Sequence, residues 1–267
     1  MIPVSDAGEL EIEAFEQLLT PQTKLVAITH VSNTLGTINP IKDITQRAHT
    51  QGAIVVVDGS QAPPHFAVDV QDLNCDFFVC SAHKMYGPTG VGVLYGKSTL
   101  LEAMPPYQGG GAMIQEVTLQ QSTYTAIPYK FEAGTPPIAS IIAFGRAIDF
   151  IQQTGYALLA HHETQLSQYA HALLEQVKNV RLIGQASHKV GIITFVINDM
   201  HHLDVGMLLD AQGIAVRTGH SCTQPLMQRF GVEGVVRASL AVYNTMEEVE
   251  RLADAVARIA HRHTHSS

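Results

Sequence analysis

A lysine, an aspartate, a cysteine and two arginines are the residues of this sequence whose types and settings could do chemistry. The stretch from Val55 to Tyr95 reads VVVDGSQAPPHFAVDVQDLNCDFFVCSAHKMYGPTGVGVLY. One apolar run in it ends in Asp58, a second ends in Ser81, and His83 and Lys84 follow at once. A glycine-rich turn (Gly87, Gly90, Gly92) then leads into a third apolar run. A lysine amine in an apolar or cationic surround loses its proton more easily and forms imines. Open α/β sheets bind ligands beyond the carboxyl ends of their strands, so an acid and a lysine at two such ends can converge on one ligand. A lone lysine after a strand is ordinarily a solvated side chain. The His-Lys pair between Ser81 and the glycines outweighs that reading. Asp-Gly is common in turns, which is the ordinary alternative for Asp58. Gln61 follows one turn later and can reach the same ligand.

Cys222 lies in Arg217-Thr218-Gly219-His220-Ser221-Cys222, where nearby positive charge favours the thiolate. Cys75 and Cys80 sit just before and within an apolar run and are read as small buried residues. Arg237 interrupts the apolar run Val235 to Leu240, and its planar fork suits a carboxylate. A structural ion pair is the alternative for Arg237. Asn33, Ser81, His83 and Thr135 are polar residues at strand ends or in loops, where each could equally be a cap. The histidines at 261, 263 and 265 are read as a solvated end, not a metal site. An imine-forming lysine with an acid for a pyridine nitrogen is the pair a pyridoxal phosphate enzyme requires.

These residues need strands and helices to place them. Leu25 to Thr29, Ala53 to Val57, Asp76 to Cys80 and Val91 to Leu94 are predicted strands. Helices are predicted from about Glu11 to Leu19 and from Pro40 to Gln51, the second with Ile41, Ile44 and Ala48 on one face. Strand, helix, strand with continuous apolar strands implies a parallel sheet covered on both faces. Residues 105 to 135 have little regular period and read as a long irregular excursion, usually functional or interfacial. Helices from Ile138 to Gln153 and from Ala157 to Lys178 come next. Strands are then expected near Val180 to Ile183, Gly191 to Ile197, Ile214 to Arg217 and Val235 to Leu240. A helix Leu203 to Gln212 lies among them, and one from Met246 to about His261 closes the chain. The fold class expected is α/β: a mainly parallel sheet flanked by helices over 1–145, and a smaller C-terminal α/β domain over 146–267 carrying the cysteine loop. No internal repeat is present.

The chain has 267 residues, 46% hydrophobic and 15% charged, so it can bury a sizeable core. A formal net charge of −8 argues against a nucleic-acid partner. No apolar run is long enough to span a membrane. Three cysteines form no disulfide framework, which points to a cytoplasmic setting.

Six segments in order, THVSNTLGTINP, VVVDGSQAPPH, SAHKMYGPTGVGVLYG, FEAGTP, RTGHSC and VVRASLAVYNT, run over nearly the whole chain. Together they resemble the fold-type I pyridoxal phosphate enzymes, and within them the class V aminotransferases. The nearest likeness is to the Suf-type (group II) cysteine desulfurases, a group that includes selenocysteine lyases. The resemblance implies pyridoxal 5′-phosphate on Lys84, Asp58 at the pyridinium nitrogen and Gln61 near the ring hydroxyl. It implies Ser81 and His83 at the phosphate, with Thr135 and Gly134 reaching the phosphate of the second subunit of a homodimer. Asn33 and Arg237 match the binders of the substrate carboxylate, and Arg217 is an arginine near the thiol loop. L-cysteine (or L-selenocysteine) would be the substrate and L-alanine a product. Lys84 would move the α proton, with His83 assisting, and Cys222 would take the sulfur as a persulfide. A sulfur-acceptor protein and iron–sulfur cluster assembly would follow. Members of the group carry about 140 further residues before the position of Met1, roughly one domain's worth. The expectation is therefore a partial chain, short of the helix amino terminus that holds the phosphate, with weakened cofactor binding. A non-catalytic fragment and an aminotransferase indifferent to Cys222 are the competing expectations.

Overall fold

The computed structural model describes the backbone of residues 1–266 and the side chains of residues 1–262. The side chains of His263 and His265 therefore lie outside the described residues. In chain order the elements are α1 (Ile12–Leu18), β1 (Leu25–Thr29), α2 (Ile41–Thr50), β2 (Ile54–Asp58), α3 (Val70–Leu73), β3 (Phe77–Ser81), β4 (Gly92–Gly96), α4 (Ser98–Ala103), β5 (Ile114–Val117), β6 (Ser122–Tyr124) and α5 (Ile138–Thr154). Then come α6 (Tyr156–Glu175), β7 (Val180–Leu182), β8 (Ile192–Ile197), α7 (His202–Asp210), β9 (Arg217–Gly219), α8 (Gln224–Phe230), β10 (Val235–Ser239) and α9 (Met246–Ser266). A 3-10 turn, Ala82–Lys84, follows β3 directly.

The chain divides into two compact units: Pro21–Thr29 with Ile41–Gly155, and Met1–Thr20 with His30–Pro40 and Tyr156–Ser267. The boundary expected near residue 145 falls within α5, and the changeover on the carboxyl side comes at Gly155. Gly155 caps α5 with φ of 85°, a conformation glycine adopts at no steric cost.

The first unit holds a sheet of order β1-β2-β3-β4. β1, β2 and β3 run parallel, with Leu25 opposite Ile54 and Val56 opposite Phe77. β4 returns antiparallel to β3. Val26, Val55 and Val57 share one face of the sheet and are buried, as are Ile44 and Ala48 of α2, whereas Leu25 of β1 and Val93 and Leu94 of β4 are about half exposed, so the expected cover on both faces is incomplete. Asp69 caps α3 by accepting from the Gln71 and Asp72 amides. Parallel alignment puts Asp58 and Ser81 at the same, carboxyl end of the sheet.

The second unit is built on an antiparallel sheet of order β7-β8-β10-β9. Ile193, Phe195 and Ile197 of β8 pack with Val236 of β10, Leu166 and Leu174 of α6, Val205 of α7 and Val256 of α9 in one buried cluster. The α/β class is as expected from the sequence.

Three local expectations are corrected. The strand expected at Ile214 to Arg217 begins only at Arg217, because Ile214 and Val216 pack onto the core without entering the ladder. Residues 105 to 135 contain a two-stranded hairpin, β5 against β6. The short α3, α4 and α8 were not anticipated at all.

Candidate active site

The carboxyl end of the parallel sheet presents the predicted acid and amine. Asp58 is the last residue of β2 and is exposed. Among the described residues Asp58 Oδ1 accepts only the local Ser60 amide, at 2.9 Å, so most of its acceptor capacity is left free. Lys84 ends the 3-10 turn after β3; it is half-buried and makes no hydrogen bond or ion pair among the described residues. The turn tightens through the Met85 and Gly87 amides, both donating to Ala82 O, at 2.8 and 3.0 Å. A Cβ on Gly87 would stand 2.9 Å from that same oxygen, so the turn needs glycine. Gly59 is more constrained still: a Cβ there would lie 1.8 Å from the ring of Phe78. The ring thereby fixes the backbone just past Asp58.

Gln61 and Ser81 are half-buried and His83 is exposed. Thr135 is exposed on the loop before α5, where the Gly134 amide donates to Gly111 O at 2.9 Å. Cys75 is buried and Cys80 half-buried, and burial pushes both thiols above their ordinary pKa.

The other unit holds the thiol. Cys222 is exposed. It and Ser221 both sit in the left-handed region, with φ of 61° and 48°. Two consecutive non-glycine residues there are strained, and surrounding bonds must hold them. Asn33 Nδ2 donates to Ser221 O at 2.9 Å, and Arg237 donates in turn to Asn33 O at 2.6 Å. The Cys222 amide donates to His220 Nδ1 at 3.3 Å, and the hydroxyls of Thr34 and Thr223 lie 3.0 Å apart. Asn33, 188 residues before Ser221 and 204 before Arg237, thus joins the thiol loop and Arg237 in one connected set.

The register of β9 and β10 sets Arg237 opposite Arg217. Like charges directly opposed across strands repel. Burial first, and then Arg217, hold the Arg237 guanidinium below its ordinary pKa. The Nε of Arg237 is buried without a hydrogen-bond partner, as is Ser221 Oγ. A half-buried guanidinium facing a second one has the charge and the planar donors that a carboxylate would accept.

Sequence reasoning missed Thr34, Thr223 and the loop contact of His220. No pattern in TGHSC signals a left-handed pair, because neither residue is glycine. Among the described residues no cluster of three or more His, Cys, Asp or Glu could hold a metal ion. No described helix is long and apolar enough to cross a membrane.

The family described as aminotransferase class-V matches residues 1–252. A cysteine desulfurase of Dickeya dadantii (strain 3937) is 51% identical over 260 residues, covering 97% of this chain and 63% of that protein. The crystal structure of a cysteine desulfurase from Escherichia coli superposes with a TM-score of 0.92 at 37% identity, covering 96% of this chain and 64% of the other. The apo structure of a cysteine desulfurase from Thermococcus onnurineus NA1 gives a TM-score of 0.93 at 35% identity, covering 97% and 65%. The chain therefore spans somewhat under two thirds of the length of each of these relatives.

Proposed function

The chain belongs to the class V aminotransferase family, and we propose that it serves a cysteine desulfurase, taking sulfur from L-cysteine onto Cys222 and releasing L-alanine. The observation that carries this reading is the exposed thiol of Cys222 on a strained loop tied through Asn33 to the half-buried Arg237, which stands opposite the exposed Arg217. An aminotransferase proper has no use for that thiol. The relatives compared are named cysteine desulfurases, which favours cysteine over selenocysteine as substrate.

Pyridoxal 5′-phosphate fits the residues present. Asp58 and Lys84 are an acid and an amine at the carboxyl ends of adjacent parallel strands, neither neutralised by an internal ion pair among the described residues. Bound there, the cofactor supplies an electron sink for charge that develops at the substrate α carbon. Lys84 would hold it and would serve as the base for the substrate α proton. Asp58 would keep a positive charge on the ring nitrogen, and Gln61 would lie near the ring hydroxyl. Ser81 and His83 would hold the phosphate, and His83 would assist proton transfers. Thr135 and Gly134 contact the phosphate of the second subunit in a homodimer. Arg237, Asn33 and Arg217 hold the substrate carboxylate. The Cys222 thiolate attacks the substrate sulfur, forming an S–S bond as the carbon–sulfur bond breaks. The persulfide passes to a sulfur-acceptor protein, in a cytoplasmic route to iron–sulfur clusters. In this reading residues 1–145 supply the cofactor-binding large domain and 146–267 the thiol-bearing small one.

The test is alanine release from L-cysteine by the protein loaded with pyridoxal 5′-phosphate, with peptide mapping of the persulfide. Cys222→Ala should lose the mapped persulfide and lower alanine release by more than about 100-fold, as removal of a nucleophile does. Alanine release unchanged in Cys222→Ala, or none from the loaded protein, contradicts the reading.

A further inference from the structure

Lys189 is unusual among the seven lysines of this chain. It sits in the loop between β7 and β8, half-buried, with no carboxylate in contact among the described residues. Its Nζ donates to Gly184 O at 2.9 Å and to the imidazole Nε2 of His171, on α6, at 3.2 Å. His171 Nδ1 lies 2.8 Å from Ser167 O, a carbonyl that can only accept. The proton of a neutral His171 is therefore on Nδ1, and Nε2 is left as an acceptor. Lys189 and His171 both line a cavity of about 360 Å³, together with Gln168, Glu175, Gln185 and Ser187.

Elsewhere the lysines are handled differently. Lys42 pairs with Asp72, and Lys97 pairs with Asp76. A buried ammonium without a counter-ion is costly, and the usual outcome is loss of its proton. Burial lowers the Lys189 pKa from 10.5 to about 8. Burial first, and then Lys189, also lower that of His171, while Glu175 raises it. Once neutral, the amine still has two N–H bonds, and two acceptors are in place for them. The fourth tetrahedral position is then the lone pair.

We propose that Lys189 is a covalent site for carbon dioxide, reacting as a neutral amine inside the His171-lined cavity to form a carbamate. The lone pair of Nζ attacks the carbon of CO₂, an N–C bond forms, and one C–O π bond moves to oxygen. The proton lost from nitrogen passes to His171 Nε2, already its hydrogen-bond acceptor. No oxidant or reductant is needed. CO₂ is uncharged, so it enters without the solvation cost that an anion would meet. The product satisfies the same partners: the carbamate N–H donates to Gly184 O, and a carbamate oxygen accepts from the new His171 Nε2–H. The resulting carbamate–imidazolium pair supplies the counter-charge that the site lacks at present. The titratable groups facing the site are His171 and Glu175 of α6, with Glu9 reaching its rim through the Ser187 amide and hydroxyl.

The experiment uses the full chain, without pyridoxal phosphate, equilibrated with ¹³C-labelled bicarbonate and CO₂ at pH 8. Carbamates are trapped as esters with a trialkyloxonium salt and located by peptide mass mapping. A lysine of pKa about 8 has on the order of a hundred-fold more neutral amine at that pH than a solvated one. Trapped label on Lys189 should therefore exceed that on the exposed Lys178 by at least about ten-fold. Lys189→Arg should abolish the labelled peptide, and His171→Phe should reduce it several-fold while the variant unfolds at the wild-type denaturant midpoint. Label spread evenly over Lys178 and Lys189 in the wild-type protein overturns the proposal, and that comparison needs no variant to fold.

Discussion

The two ends of the parallel sheet carry an aspartate each, and they are treated in opposite ways. At the amino end, Asp76 is 6% exposed and fully engaged. Its carboxylate accepts from the Val55 amide at 2.7 Å, Lys97 Nζ at 2.8 Å and His49 Nε2 at 2.8 Å. At the carboxyl end, Asp58 is exposed and accepts one local amide, and Lys84 has no partner among the described residues. Both acids flank short apolar strands of one sheet. The satisfied one ties β2, β3 and β4 together; the unsatisfied pair is held in place by backbone and packing, through Phe78 on Gly59 and the tight turn at Ala82. An open polar group on a rigid scaffold is what a binding site requires. The lesson extends to the other unit, where Arg237 keeps a buried donor unused.

The contrast can be broken or sharpened by substitution. Asp76→Ala removes a buried acceptor from three donors and should destabilise by about 3 kcal/mol. Asp58→Ala should change the denaturant midpoint by less than about 0.5 kcal/mol equivalent. Equal losses at the two positions would erase the distinction. Gly59→Ala comes next, at about 2 kcal/mol, because the Phe78 ring must give way to the added methyl; urea unfolding measures it.

The pH dependence follows the same division. Burial pushes the Asp76 carboxyl up, but Lys97, His49 and the Val55 amide together hold it below its ordinary 3.8. A depressed folded pKa contributes stability that is present above the unfolded value and lost as pH falls through the folded one. Stability of the wild-type protein should therefore fall as pH drops below 3.8, and Asp76→Asn should flatten that limb of the curve. The smallest effect on stability is expected for Arg217→Ala, which relieves the repulsion on Arg237 and should move the midpoint by less than about 0.5 kcal/mol equivalent. If the pair is a carboxylate receptor, the same variant raises KM for L-cysteine in the loaded protein.

Much of this was legible in the sequence. β1 spans Leu25–Thr29 as expected, and α2 keeps Ile41, Ile44 and Ala48 on its buried face. Those elements carry strong periodicity or continuous apolar runs. The β5–β6 hairpin was not legible because Ile114–Val117 and Ser122–Tyr124 are short, mostly exposed and polar. The antiparallel order of the second sheet was hidden too: Ile192–Ile197 is apolar but for Thr194, as a parallel strand would be, because both of its faces are buried. Of the site, residue types at strand ends were readable. The link from Arg237 through Asn33 to Ser221 was not, since it joins positions with sequence separations of 204 and 188 and depends on a backbone carbonyl at each step. Nor could composition reveal that Arg217 stands opposite Arg237, which follows from strand register alone.

The central claim, that the open polar end of the parallel sheet is the cofactor site, is tested most directly by borohydride reduction of the protein with pyridoxal 5′-phosphate and peptide mapping of the modified lysine. The account predicts a single phosphopyridoxyl group on Lys84, lost in Lys84→Arg and weakened in Asp58→Ala. Modification of Lys97 at the satisfied end, or of exposed lysines without preference, would contradict it.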